Sequence, residues 1–98
     1  PRKLGLDAAL VSDVLGGGIA GSDYFGLHTE SVVKKTPSPG SLGQMCKDMA
    51  IVKHTLEDLN FQAHVTLAAE QYFHAAAERG MSGREGADLM EVVEPGYR

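Results

Sequence analysis

The chain has 98 residues, room for about one hydrophobic core and not two. A hydrophobic share of 43%, a charged share of 22% and a net charge of -4 with interspersed signs describe an ordinary globular domain. They leave no basic surface of the size that nucleic acid requires, so a nucleic-acid partner is not expected. No run approaches the roughly 20 apolar residues of a membrane-spanning helix. A single cysteine, Cys46, excludes an internal disulfide and a Cys-based zinc site.

In chain order, Pro1-Arg2-Lys3-Leu4-Gly5-Leu6 offers neither an initiator methionine nor a leader. The chain is therefore expected to be a piece of a longer protein, and the free thiol points to a reducing cytoplasm. Asp7 is placed to cap a first helix over residues 8–15, with Leu10, Val11, Val14 and Leu15 on one face. Gly16-Gly17-Gly18 ends it, because consecutive glycines disfavour continued helix. Ser22 caps a second helix over residues 23–34, with Phe25, Leu27, Val32 and Val33 inward. Lys34 and Lys35 lie at its C-terminal end, where positive charge suits the helix dipole.

Thr36-Pro37-Ser38-Pro39-Gly40 is a stiff connector, since each proline biases the residue before it away from helix. A third helix is predicted over residues 41–59. Its apolar residues Leu42, Met45, Met49, Val52, Leu56 and Leu59 recur at three- and four-residue spacing and form one inward stripe. Lys47 then points almost directly away from that stripe, and Asp48 sits at its edge. Cys46 flanks the stripe and reads as a small buried hydrophobe. Asn60 is a C-terminal stop, with Phe61 folding back as a plug.

A fourth helix is expected over residues 63–79, with Val65, Ala68, Ala69, Tyr72, Phe73 and Ala76 inward and Gly80 as its terminator. Ser82 is placed to cap a short last helix through Val93, and Pro95-Gly96 closes the chain. No period-two alternation bounded by hairpin turns occurs. The expected fold is all-α, in five helices.

Gly16, Gly18 and Gly21 match G-x-G-x-x-G letter for letter, but a helix precedes them and no βαβ unit follows, so a hinge between helices accounts for them better. His54, His64 and His74 lie ten residues apart on two helices without an i, i+4 pair, so no metal site is expected. His54 shares the outward face of Lys47, and His28 carries no further signal. No G-x-S-x-G surrounds any serine, and the acids are scattered rather than paired. The chain has no self-contained active site.

An ordered series of short matches does carry information. Leu4-Gly5-Leu6-Asp7 precedes an apolar helix, and Gly18 to Ser22 is a small-residue turn ending in serine. Ser38-Pro39-Gly40 is followed by Met45-Cys46-Lys47-Asp48-Met49-Ala50. Tyr72 and Ala75-Ala76 then lead to Gly80, and a closing segment runs from Gly83 to Val93. From Leu4 to about Val93 this series resembles the C-terminal helical domain of the β-hydroxyacid dehydrogenases. That family includes 3-hydroxyisobutyrate dehydrogenase and semialdehyde reductases and is related to 6-phosphogluconate dehydrogenase.

The resemblance implies a five-helix bundle of the 6-phosphogluconate dehydrogenase C-terminal type, occupying residues 1–98 as one domain. It also implies a separate N-terminal Rossmann domain that binds NAD or NADP, and a lysine on the joining helix as general acid. Neither the Rossmann unit nor that lysine lies in this chain, and Arg2 and Lys3 do not fill the role. By position, Lys47 matches the family lysine that reaches across the cleft toward the cofactor, and Asp48 matches its supporting aspartate. A family aromatic after Pro-Gly is replaced by Ser41, which alters the cleft wall. The implied substrate is a small hydroxyacid or semialdehyde, and the implied assembly is a homodimer or higher oligomer. The chain alone is not expected to turn over substrate. A non-catalytic dimerisation module and an imine reductase-like domain are the rival readings.

Overall fold

Each of the first three helices begins where a short polar side chain can close it. Asp7 Oδ1 accepts from the Ala9 amide at 2.9 Å, Ser22 Oγ from Phe25 at 3.0 Å and Ser41 Oγ from Gln44 at 3.2 Å. The computed structural model describes residues 1–97. Among them are five α-helices: α1 (Ala8–Gly16), α2 (Asp23–Lys34), α3 (Leu42–Asp58), α4 (His64–Glu78) and α5 (Met90–Val93). Two 3-10 turns, Arg2–Leu4 and Gly86–Leu89, complete the set. Extended pairing among the described residues is limited to one isolated bridge between Ser41 and Glu85. The fold is all-α.

α4 folds back antiparallel on α3, and this is the most extensive helix contact. Cys46 meets Phe73 near one end of the pair, and Lys53 meets Glu70 further along. The core lies where this pair meets the following segment. Leu42 and Ala76 are fully buried there beside Met81, with Cys46, Phe73, Leu89 and Val92 packed around them. α1 and α2 form a second layer. α1 buries none of its residues and rests on α2, which reaches the first layer through the Gly86–Leu89 turn.

Three departures from the predicted pattern have physical causes. First, the inward stripe of α3 is rolled toward Cys46 and Lys53, leaving Val52 and Leu59 exposed. On α4 the inward positions are Thr66, Leu67, Glu70, Phe73 and Ala76, whereas Ala68, Ala69 and Tyr72 face water and Val65 is 86% exposed. A polar pair between the helices, Lys53 and Glu70, takes inward positions instead. Leu27 and Phe61 are likewise exposed rather than inward, although Phe61 does fold back through its amide, which donates to the Leu56 carbonyl at 2.9 Å.

Second, the glycine run is a closed turn rather than a slack hinge. The Gly21 amide donates to Gly18 at 3.0 Å, and a Cβ at Gly21 would lie 2.1 Å from the Gly16 carbonyl oxygen. Third, the last helical stretch begins at Glu85 and not Ser82. Glu85 and Asp88 satisfy each other's backbone amides reciprocally, which completes a capping box at that point.

Ser82 instead helps to hold the start of α3. Its carbonyl accepts from the Gly43 amide at 2.9 Å, and the Arg84 carbonyl accepts from Leu42 at 2.8 Å, so two first-turn donors are satisfied from a distant loop. A Cβ at Gly43 would come within 2.7 Å of the Ser82 oxygen, which requires glycine there. The connector is fastened to the same loop. The Ser38 amide donates to Glu85 Oε2 at 3.1 Å, and Ser38 Oγ accepts from Ala87 at 3.0 Å. At the opposite corner Arg2 grips the last segment, with Nε 3.0 Å from Glu94 Oε1, Nη1 donating to the Gly96 carbonyl at 3.1 Å and its guanidinium over the Tyr97 ring.

Candidate functional site

Lys47 and Asp48 lie near the middle of α3, on the side turned away from α4. Their side chains are 69% and 70% exposed, and Lys47 Nζ stands 3.8 Å from Asp48 Oδ1. At that separation in water the attraction is weak, so the amine is held loosely and is available to another anion. Lys47 points outward as its spacing predicts. Asp48 does not sit at the edge of the buried stripe; the roll of α3 places it as far into solvent as Lys47.

The same face carries Gln44, Ile51 and His54, all exposed. His54 Nε2 lies 3.5 Å from Asp58 Oδ2, and His74 Nε2 lies 3.2 Å from Glu78 Oε1, each an exposed pair one helical turn apart. Among the described residues no three His, Cys, Asp or Glu side chains converge as metal ligands. Cys46 faces the opposite way. Its Sγ donates to the Phe73 carbonyl at 3.2 Å, and burial pushes the thiol above its ordinary value.

Concavities lie elsewhere on the surface. One of about 580 Å³ runs along α1 and α2, past Asp13, Thr29, Glu30 and Lys34. Another of about 370 Å³ is apolar and lies between the two layers, lined by Val11, Phe25, His28, Leu89 and Met90. Lys47 and Asp48 line neither. They stand on an open convex face, where a ligand would be enclosed only by a body brought up against it.

Two polar elements escaped the sequence pattern. Glu70, only 5% exposed, lies between α3 and α4 with Oε2 3.8 Å from Lys53 Nζ. Its position midway between inward Leu67 and Phe73 was the available signal, because an acid on a buried line requires a cation opposite. The second is the Ser38–Glu85 fastening, whose partners are 47 residues apart and leave no local trace.

Against this geometry, a family model described as NAD-binding of NADP-dependent 3-hydroxyisobutyrate dehydrogenase matches residues 1–95. The chain belongs to that family. A comparison with curated proteins finds no match. As a member of the 3-hydroxyisobutyrate dehydrogenase family, the chain is related to NAD(P)-dependent hydroxyacid dehydrogenases, whose cofactor is NAD(P) and whose substrates are small molecules. No helix among the described residues is long and apolar enough to cross a membrane.

Proposed function

We propose that this chain is the helical C-terminal domain of an NAD(P)-dependent hydroxyacid dehydrogenase or semialdehyde reductase, and that Lys47 and Asp48 form its cofactor-facing contact. The observation that carries this is the exposed Lys47–Asp48 pair on the long α3 helix of a chain matched to an NAD-binding family over residues 1–95. The described residues hold no strand-loop-helix unit, so the dinucleotide fold is supplied by another domain, against which the convex face of α3 closes. NAD(P), when bound, supplies or accepts the hydride. Lys47 provides a positive charge and N–H donors to a cofactor oxygen, and Asp48 stands beside it as a second polar group facing the crevice. The general acid comes from outside these residues, and this domain by itself does not turn over substrate. Its exposed apolar residues serve contacts with a second copy. A cytoplasmic setting accords with the single free thiol.

The test uses the full-length dehydrogenase. Lys47→Ala is expected to weaken NADPH binding about tenfold, roughly 1.4 kcal/mol, by fluorescence titration. Lys34→Ala, which removes an equally exposed lysine from α2, is expected to leave affinity within about twofold. Equal losses for the two variants would remove Lys47 from the site. Lys53 is no control, because its ammonium faces buried Glu70.

A further inference from the structure

We infer that the Lys53–Glu70 pair is a registry device, which sets how α3 is rolled about its axis and so fixes the direction in which Lys47 and Asp48 leave the bundle. The roll rests on contacts within the bundle; its bearing on the cofactor rests on the function proposed above.

α3 carries two competing inward stripes. One is wholly apolar and runs through Leu42, Met45, Met49, Val52, Leu56 and Leu59. The one adopted runs through Leu42, Met45, Cys46, Met49, Lys53 and Leu56, so it differs by exchanging Val52 and Leu59, 39% and 70% exposed, for Cys46 and Lys53. By burial of apolar area alone, the first stripe is the better. Something must therefore penalise it.

The penalty is electrostatic. Glu70 is 5% exposed on the α4 face that packs against α3, and Lys53 Nζ is 3.8 Å from its Oε2. Rolling α3 to bury Val52 would swing Lys53 away and leave a carboxylate buried without its cation, which is strongly unfavourable. Lys53 tolerates the inward position because its aliphatic stem covers apolar surface while 42% of the side chain stays in water.

Among the described residues, the hydrogen bonds that tie α3 to other elements lie at its near end. The bonds from Leu42 and Gly43 to Arg84 and Ser82 pin the first turn, and the Cys46–Phe73 bond follows one turn later. Lys53 stands three turns beyond Leu42, where Val52 and Leu59 pull the other way. Lys47 lies between these pins, so its direction is set by both.

The experiment follows two thiols on opposite flanks of α3 in the full-length protein, with residue-resolved iodoacetamide labelling read by mass spectrometry. One is native Cys46 and the other is introduced by Val52→Cys. Glu70→Leu removes the buried charge. The expected result is an exchange, with Cys46 labelled about fivefold faster and the thiol at position 52 about fivefold slower. General loosening would speed both. Lys53→Arg keeps the cation and is expected to keep both original rates. Rates that stay unchanged in Glu70→Leu, or rise together, overturn the inference. Should Glu70→Leu fail to fold, Glu70→Gln keeps the shape, removes the charge and is judged by the same exchange. NADPH affinity measured in the same variants separates the two claims. Exchange with a loss of affinity supports both, whereas exchange with unchanged affinity upholds the registry and overturns the role of Lys47.

Discussion

Cys46 is one turn from the start of α3 and one residue from the candidate site, yet its chemistry is taken up by packing. Burial is the main cause that lifts its thiol above the ordinary range, and its Sγ–H is donated to the Phe73 carbonyl. At pH 8, alkylation of Cys46 is expected to run at least about tenfold slower than that of free cysteine, with denaturant restoring the rate. The folded state holds the thiol proton more tightly than the unfolded chain. This contribution to stability is therefore full below the ordinary thiol value and is lost as pH rises through the raised one. Urea midpoints compared between pH 7 and pH 10 should fall further for the native sequence than for Cys46→Ala. The Glu30–Lys34 pair shows the opposite case: the Lys34 hydrogen bond holds the Glu30 carboxyl below its usual value, but both groups lie in open solvent and add little to the fold.

At the scale of elements, what was legible in the sequence were the helix ends. Asp7, Ser22 and Ser41 start helices because a short oxygen-bearing side chain needs only the next few amides, and Gly80 ends one with φ of 73°. The helix faces were less legible, because hydrophobic spacing cannot register a buried glutamate paired with a half-exposed lysine. Val52, Val65 and Tyr72 look inward by apolar character, while Lys53 and Glu70 occupy the inward positions. At the candidate site, Lys47 stays on the outer side of α3 under either roll, but the direction in which it leaves the bundle and the exposure of Asp48 depend on which roll is taken. The start of the last helix was missed because Ser82 satisfies the rule for a cap in isolation, while its carbonyl is engaged by Gly43. The turn after α1 permits a direct check. Gly21→Ala is expected to cost about 1–3 kcal/mol in urea unfolding, since its Cβ would collide with backbone. Gly18→Ala, whose nearest neighbour would be 3.6 Å away, is expected to stay within about 0.5 kcal/mol.

For the whole molecule, the two layers are unequal. The α3–α4 layer contains the fully buried residues, whereas α1 buries none and presents Leu10, Val14 and Leu15 to water, with Ile19 protruding beyond it. Apolar surface so disposed favours association. Sedimentation velocity at high micromolar concentration should show dimers or larger species, and Leu10→Glu combined with Val14→Glu should shift them toward monomer. A purely monomeric native protein under those conditions would count against the dimer contacts proposed for this domain.

The grip of Arg2 on Glu94, Gly96 and Tyr97 has its own mechanical meaning. Two lengths of backbone separated by more than ninety residues are fastened side by side at one corner. Arg2 thereby ties the first residues to the segment that follows α5, and Pro1 and Tyr97 line the apolar hollow between the layers together with Leu89 and Met90. Residues 1 and 97, nearly the whole chain apart in sequence, thus share one wall of that hollow.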